Sequence, residues 1–317
     1  MKKQDLRIVF MGTPEFAVES LKALVEGGYN VVGVITMPDK PAGRGHKIQF
    51  SAVKEYALSQ NLPILQPEKL KDENFIAQLR DLKADLQIVV AFRMLPEVVW
   101  DMPRYGTFNL HASLLPQYRG AAPINWAVIN GEKETGATTF FLQHEIDTGK
   151  VILQKKIAIE ENDNAGTVHD KLMVIGAGMV TETVDLLLED KINSIPQEDL
   201  IPENTSLKSA PKIFKETCEL KFDMNPEQAH NFVRGLSPYP AAWSEVKFPQ
   251  LPEKINIKIF ESHPENHNHS HSLGEIITDG KKSAKIALKD GFLVLKEIQA
   301  PGKKRMKIGD FLNGLKQ

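Results

Sequence analysis

Leu6-Arg7-Ile8-Val9-Phe10-Met11, running into Gly12-Thr13-Pro14, decides the fold class. A compact apolar run that stops at a Gly-Thr-Pro turn, with a helical pattern over Glu15–Glu26 beyond it, opens a strand–turn–helix unit. The alternation continues outward. Residues 30–36 (NVVGVIT) are β-branched and strand-like, and 51–60 have helical period with Ser51 as N-cap. Residues 84–92, 107–111 and 137–142 read as further strands, with helical segments near 122–129 and over 167–188. Near-continuous apolar strands separated by helices predict a Rossmann-like, mostly parallel α/β sheet covered on both faces.

The character changes near residue 190. Pro196, Pro202 and Pro211 punctuate a stretch rich in Asn, Ser, Glu and Lys, which is a linker signature. Beyond it lie short strand-like pieces at 219–222, 244–246, 255–260, 284–287 and 292–295, separated by turns such as Asp279-Gly280 and Asp290-Gly291. That spacing predicts a small antiparallel, OB-like β-barrel. The expected organisation is an α/β domain over 1–189, a linker over 190–209 and a barrel domain over 210–317.

A chain of 317 residues, 42% hydrophobic and 25% charged, has the balance of a soluble two-domain protein. Cys218 is the single cysteine and cannot form an internal disulfide, so a reducing compartment fits. The apolar run at 6–11 is too short for a signal-peptide core or a membrane span, and a cytoplasmic location is expected. The net charge of −2 gives no overall sign of nucleic-acid binding. From Lys281 to Gln317, however, ten cations face three acidic residues, leaving +7. Such an end is either a phosphate-facing patch or a solvated surface, and charge alone favours the surface.

The chemistry concentrates in Thr107-Phe108-Asn109-Leu110-His111-Ala112-Ser113-Leu114-Leu115-Pro116. On a strand, Asn109 and His111 share one face and Leu110 takes the other. That would put an amide and an imidazole at the carboxyl end of a parallel strand, where open α/β sheets place ligands. Asp147-Thr148-Gly149 adds a carboxylate in a tight turn. An Asn, a His and an Asp suit acyl transfer to an amine: donors stabilise the developing oxyanion, and a carboxylate favours the imidazolium and helps move protons. Each element alone has a plainer reading, as a strand-end hydrogen-bonded pair or an ordinary turn. Gly12-Thr13-Pro14 lacks the later glycines of a dinucleotide fingerprint and reads as a strand-to-helix turn. Pro41-Ala42-Gly43-Arg44-Gly45-His46-Lys47 reads as a basic surface loop able to close on an anionic backbone. The histidines at 263, 267, 269 and 271 sit in an Asn- and Ser-rich setting, which favours a solvated loop over a metal site.

In combination, several motifs resemble those of the folate-dependent formyltransferases. They are Phe10-Met11-Gly12-Thr13-Pro14-Glu15-Phe16, Pro41-Ala42-Gly43-Arg44-Gly45, Asn109-Leu110-His111-Ala112-Ser113-Leu114-Leu115-Pro116, Tyr118-Arg119-Gly120-Ala121-Ala122-Pro123-Ile124 and Asp147-Thr148-Gly149. The second half is similar to the family's barrel through Ala210-Pro211-Lys212-Ile213, through residues 234–243 and through the basic ending that holds Lys303 and Lys304. The resemblance implies that Asn109, His111 and Asp147 are catalytic. It implies that Ser113, Leu114, Leu115 and Pro116 line a folate site, with backbone near Val90, Phe92 and Leu95 contacting the pterin. It also implies 10-formyltetrahydrofolate as donor, no metal, and a methionyl-initiator tRNA as acceptor, met by Arg44, Lys47, Lys303 and Lys304. A monomer without a membrane partner is expected. Where many relatives have Ala-Tyr-Gly and a longer apolar stretch, this chain runs Ala91-Phe92-Arg93-Met94-Leu95-Pro96, shorter and carrying a cation.

Relatives on the same catalytic domain formylate a ribonucleotide amine or an amino-sugar nucleotide, or hydrolyse formyl-folate. The extra barrel counts against the first, and the Arg44 loop and basic ending favour tRNA over the others. A non-catalytic RNA-binding protein is the alternative of a different class. The presence of Asn109, His111 and Asp147 together argues against it.

Overall fold

The computed structural model describes residues 1–42, 47–201 and 205–315. By internal contacts the chain forms two units. One comprises residues 1–120, 136–157 and 169–209, and the other residues 121–135, 158–168 and the chain from Ala210 onward.

The first unit is built on a seven-stranded sheet: β1 (Ile8–Gly12), β2 (Val31–Ile35), β3 (Ile64–Leu65), β4 (Leu86–Val90), β5 (Thr107–His111), β6 (Glu134–Phe141) and β7 (Val151–Ala158). Their order is β7-β6-β5-β4-β1-β2-β3. The five strands from β3 to β5 pair in parallel, and β6 joins β5 antiparallel. Every residue of β1 and β4 is buried, which is why both read as near-continuous apolar runs, broken only by the buried Gln87 of β4. The strand order reverses on either side of β1, so the carboxyl ends of β1 and β4 mark the switch point where such sheets bind ligands.

Helices α1 (Glu15–Glu26), α2 (Ala52–Ser59), α3 (Glu73–Asp81) and α4 (Glu97–Trp100) connect these strands. α1 buries Phe16, Ala17, Ser20, Leu21 and Leu24, one face at helical spacing. Ser51 caps α2 as expected, its Oγ accepting from the Lys54 N–H at 3.1 Å. The turn after β1 depends on space: a Cβ on Gly12 would lie 2.6 Å from that of Ala17 and 3.0 Å from the Val90 carbonyl oxygen. Further on, α5 (Pro123–Ile129) falls in the second unit, and α6 (Ala165–Leu188) is the long helix predicted from periodicity. α6 lies close against β5 at Gly176, where a Cβ would come within 2.7 Å of Leu110 Cδ2. The Pro-rich stretch read as a linker makes specific contacts in this unit. Ile195 bridges Val151, and Gln197, in a 3-10 turn, is fully buried.

The second unit carries β8 (Ala242–Val246), β9 (Ile255–Asn266), β10 (Ile276–Thr278), β11 (Ala284–Leu288), β12 (Gly291–Gln299) and β13 (Met306–Lys307). They form an antiparallel, OB-like half-barrel in the order β8-β9-β12-β11-β10, with β13 on β12. Its core joins Ile257, Ile259, Leu293 and Leu295 to Val233 and Leu236 of helix α7 (Pro226–Leu236). The sequence reading contained no α7, although Asn225 and Gln228 form a reciprocal capping box with Pro226 at the first turn. Arg234 on α7 is only 8% exposed and donates to the Asp163 carbonyl at 2.9 Å and to Asn231 Oδ1 at 2.7 Å. Helix α8 (Ile308–Gly314) completes the core with Ile308, Phe311 and Leu312.

Two expectations change here. The strand at 219–222 is a single bridge from Glu219 to Trp243, preceded by a 3-10 turn at Glu216–Cys218. The histidine-rich stretch is not simply solvated: His269 Nε2 faces the carbonyls of Leu288 and Gly291 at 2.8 and 2.9 Å, and its ring packs 4.4 Å from Phe292. Among the described residues, no group of three or more His, Cys, Asp or Glu side chains is placed to hold a metal ion, and no helix is long and apolar enough to cross a membrane.

The crowding at Gly12 makes it a packing probe. Gly12→Ala should cost about 1–3 kcal/mol through overpacking, read as a lower urea midpoint for the first unit; an unchanged midpoint would show that the turn relaxes freely.

Candidate functional site

β5 positions the site. Thr107, Phe108, Leu110 and His111 are buried, and Asn109 is partly exposed. Leu110 points at Gly176 of α6, so Asn109 and His111 share the opposite face. His111 Nε2 lies 2.9 Å from the Tyr118 carbonyl. A carbonyl only accepts, so Nε2 carries the proton of this bond and Nδ1 is left toward Asp147. Phe140 stands edge-on to the imidazole, with ring centroids 6.5 Å apart.

Asp147 Oδ2 lies 3.9 Å from His111 Nδ1, beyond hydrogen-bond reach but close enough for electrostatic pairing between side chains 12% and 7% exposed. The same oxygen accepts the Gly120 N–H at 3.0 Å. Asp147 has φ 55, the left-handed region that aspartate tolerates better than most residues. Gly149 is required by space, since a Cβ there would lie 1.6 Å from the Phe141 carbonyl oxygen.

The turn between His111 and Tyr118 is tied from within. Ser113 Oγ donates to the Gln117 carbonyl at 2.6 Å, and Thr138 Oγ1 donates to the Ser113 carbonyl at 2.7 Å. Gln154 Nε2 donates to the Leu115 carbonyl at 2.9 Å. Ser113, Leu115 and Pro116 are buried, and Leu114 is partly exposed. Val90 ends β4, buried and paired with Gly12 of β1 and Leu110 of β5. Phe92 is partly exposed and Leu95 buried. A groove of about 740 Å³ opens beside them, lined by Leu70, Ile76, Met94, Leu95, Pro96 and Val98.

Arg93, the cation within residues 91–96, is turned to structural use. Its guanidinium donates to the carbonyls of Pro67 at 2.8 Å and Glu68 at 3.0 Å and lies 5.2 Å from the Phe92 ring. Burial pulls it below the usual arginine range.

Arg44 lies outside the described residues. Lys47 begins the second strand of a hairpin, Lys40–Ala42 against Lys47–Gln49. At the foot of that hairpin Asp39 pairs with Lys54, and Gln66 Nε2 donates to Asp39 Oδ1 and to the Met37 carbonyl, both at 2.8 Å. These bonds hold the Asp39 carboxyl below the usual carboxylate range. Lys303 and Lys304 stand on an exposed turn of the second unit. Sequence reasoning missed Gln197, whose amide reaches the Asp147 turn from the Pro-rich stretch. The residues that preceded it carried no local signal for this.

A buried His and a largely buried Asp thus meet beside the carboxyl end of β5 in a mostly parallel α/β unit. The chain matches the family model described as formyl transferase over residues 6–184 and that of the formyl transferase C-terminal domain over 212–316, and it belongs to the formyl transferase family. It is 64% identical over 316 residues to a methionyl-tRNA formyltransferase from Bacteroides thetaiotaomicron, covering 100% of this chain and 98% of the relative. A methionyl-tRNA formyltransferase from Flavobacterium johnsoniae is 54% identical over 312 residues, 98% of this chain and 97% of the relative. Among solved structures, HypX from Aquifex aeolicus in complex with tetrahydrofolic acid aligns with a TM-score of 0.62 at 17% identity over 98% of this chain; the chain spans 47% of HypX. WlaRD, a sugar 3N-formyl transferase, aligns with a TM-score of 0.61 at 20% identity, covering 94% of this chain and 99% of that one. Both share the fold.

Arg93→Met should free the segment around Pro67 and Glu68. We expect faster amide hydrogen exchange at residues 66–70 and a stability loss of about 1–3 kcal/mol; wild-type exchange there would contradict the tether.

Proposed function

We propose that this enzyme transfers the formyl group of 10-formyltetrahydrofolate to the α-amino group of methionyl-initiator tRNA, giving N-formylmethionyl-tRNA. The observation that carries this reading is the identity of 64% to a protein named methionyl-tRNA formyltransferase over the whole chain. The site geometry is compatible with the chemistry. The amine attacks the formyl carbon, the carbonyl electron pair moves to oxygen, and N10 of the folate leaves and takes up a proton. The attacking nitrogen must lose one.

Each residue has a role that its position supports. Asn109, on the open face of β5, offers a carboxamide N–H to the developing oxyanion. His111 has Nε2 committed to the Tyr118 carbonyl, so Nδ1 is the ring nitrogen left to face that oxygen. Asp147, 3.9 Å from Nδ1, is the carboxylate placed to accept the proton leaving the amine. Folate is read against Val90, Phe92, Leu95 and the 113–116 turn, at the carboxyl edge of β1, β4 and β5. Arg44, Lys47, Lys303 and Lys304 are read as phosphate contacts of the tRNA, positioning rather than specifying it.

The test is formyl transfer from 10-formyltetrahydrofolate to charged initiator and elongator tRNA. Formylation confined to the initiator is expected; release of tetrahydrofolate without formylated tRNA would replace this reading with a hydrolase. His111→Ala should lower kcat by about 10²–10³-fold with the fold retained by circular dichroism. Near-normal turnover in that variant would overturn the assigned mechanism.

A further inference from the structure

Asp147 is held from two sides. One hold is the Gly120 N–H on its carboxylate. The other comes from Gln197, fully buried, whose Nε2 donates to the backbone carbonyls of both Asp147 and Gly149 at 2.8 Å each. A single primary amide spends both of its N–H groups on the two ends of the Asp147-Thr148-Gly149 turn. Its oxygen is not idle either. Gln197 Oε1 accepts from Nε and Nη2 of Arg119 at 3.0 and 2.6 Å. That fixes which way the amide faces, because a guanidinium only donates and a carbonyl only accepts.

Arg119 sits in the segment that serves the rest of the pair. The Tyr118 carbonyl before it takes the His111 proton, and the Gly120 N–H after it grips the Asp147 carboxylate. Three successive residues therefore hold His111, Gln197 and Asp147. A left-handed aspartate needs such external bonds, since its φ of 55 is not the conformation its own backbone prefers.

We propose that Gln197, oriented by Arg119, is a positioning residue for Asp147: its bonds to the two carbonyls aim the carboxylate at His111. The proposal rests on the reading of His111 and Asp147 as the reacting pair. It places a functional residue beyond the span 6–184 matched by the formyl transferase model.

The experiment compares Gln197→Leu, Gln197→Glu and Asp147→Asn in the formyl-transfer assay, with kcat and KM for both substrates from pH 5 to 9. Leu removes all four hydrogen bonds. Glu keeps the Arg119 contact but sets an acceptor against two carbonyls. We expect kcat to fall by about 10–100-fold in both Gln197 variants, since a displaced reacting group costs up to about 10²-fold. KM should stay within about twofold of wild type, and the pH profile of kcat should move toward that of Asp147→Asn. Wild-type kcat and profile in a folded Gln197 variant, with Asp147→Asn impaired, would overturn the proposal alone. Unimpaired Asp147→Asn would overturn the underlying reading and the proposal with it. Should neither Gln197 variant fold, Arg119→Leu removes only the donors on Oε1. The same change in kcat and profile, smaller in size, supports the proposal, and wild-type behaviour refutes it.

Discussion

A buried imidazole at the end of a parallel strand must find a partner without water, and the Tyr118 carbonyl is the partner His111 finds. Much of the neighbouring structure follows from that bond. The chain leaves β5 at His111 and has seven residues in which to return a carbonyl to Nε2. Ser113, Gln117 and Thr138 close that return with hydrogen bonds of their own. The residue after Tyr118 is then Arg119 and the next Gly120, so the turn that satisfies His111 also delivers the groups that hold Gln197 and Asp147. Removing one member of such a set leaves others buried and unpaired, which is costlier than the loss of a surface contact.

The opposite face of β5 obeys a packing constraint. Gly176 lets α6 come close over Leu110, and Gly12 does the same for α1 against β1 and β4. With helices lying close on the sheet, the carboxyl edge is where side chains find room. The chemistry-bearing residues of β5 occur at that edge because the remainder of the strand is spent on core.

How much of this was legible depends on the range of the physics involved. Periodicity is local, and it marked Glu15–Glu26 and Thr107–His111 at the bounds the structure has. The pairing of Asn109 with His111 on one face was equally local. α7 carries a local signal in the Asn225–Gln228 capping box, which alternation and turn residues alone do not reveal. Gln197 was beyond reach: its partners lie 78, 50 and 48 residues away, and nothing in a Pro- and Glu-rich neighbourhood marks one amide as buried. His269 is a similar case. Its neighbours are polar, and only the strand ends at Leu288 and Gly291 make it a packed residue.

The hairpin Lys40–Ala42 and Lys47–Gln49 has a mechanical side. Its foot is riveted at Asp39 to Lys54 on α2 and, through Gln66, to the Met37 carbonyl. Thr36 Oγ1, at the end of β2, shares a 2.7 Å hydrogen bond with Ser51, the cap of α2. The base of the hairpin is therefore fixed to the first turn of α2 and to the carboxyl ends of β2 and β3, so the chain enters and leaves it from a braced footing.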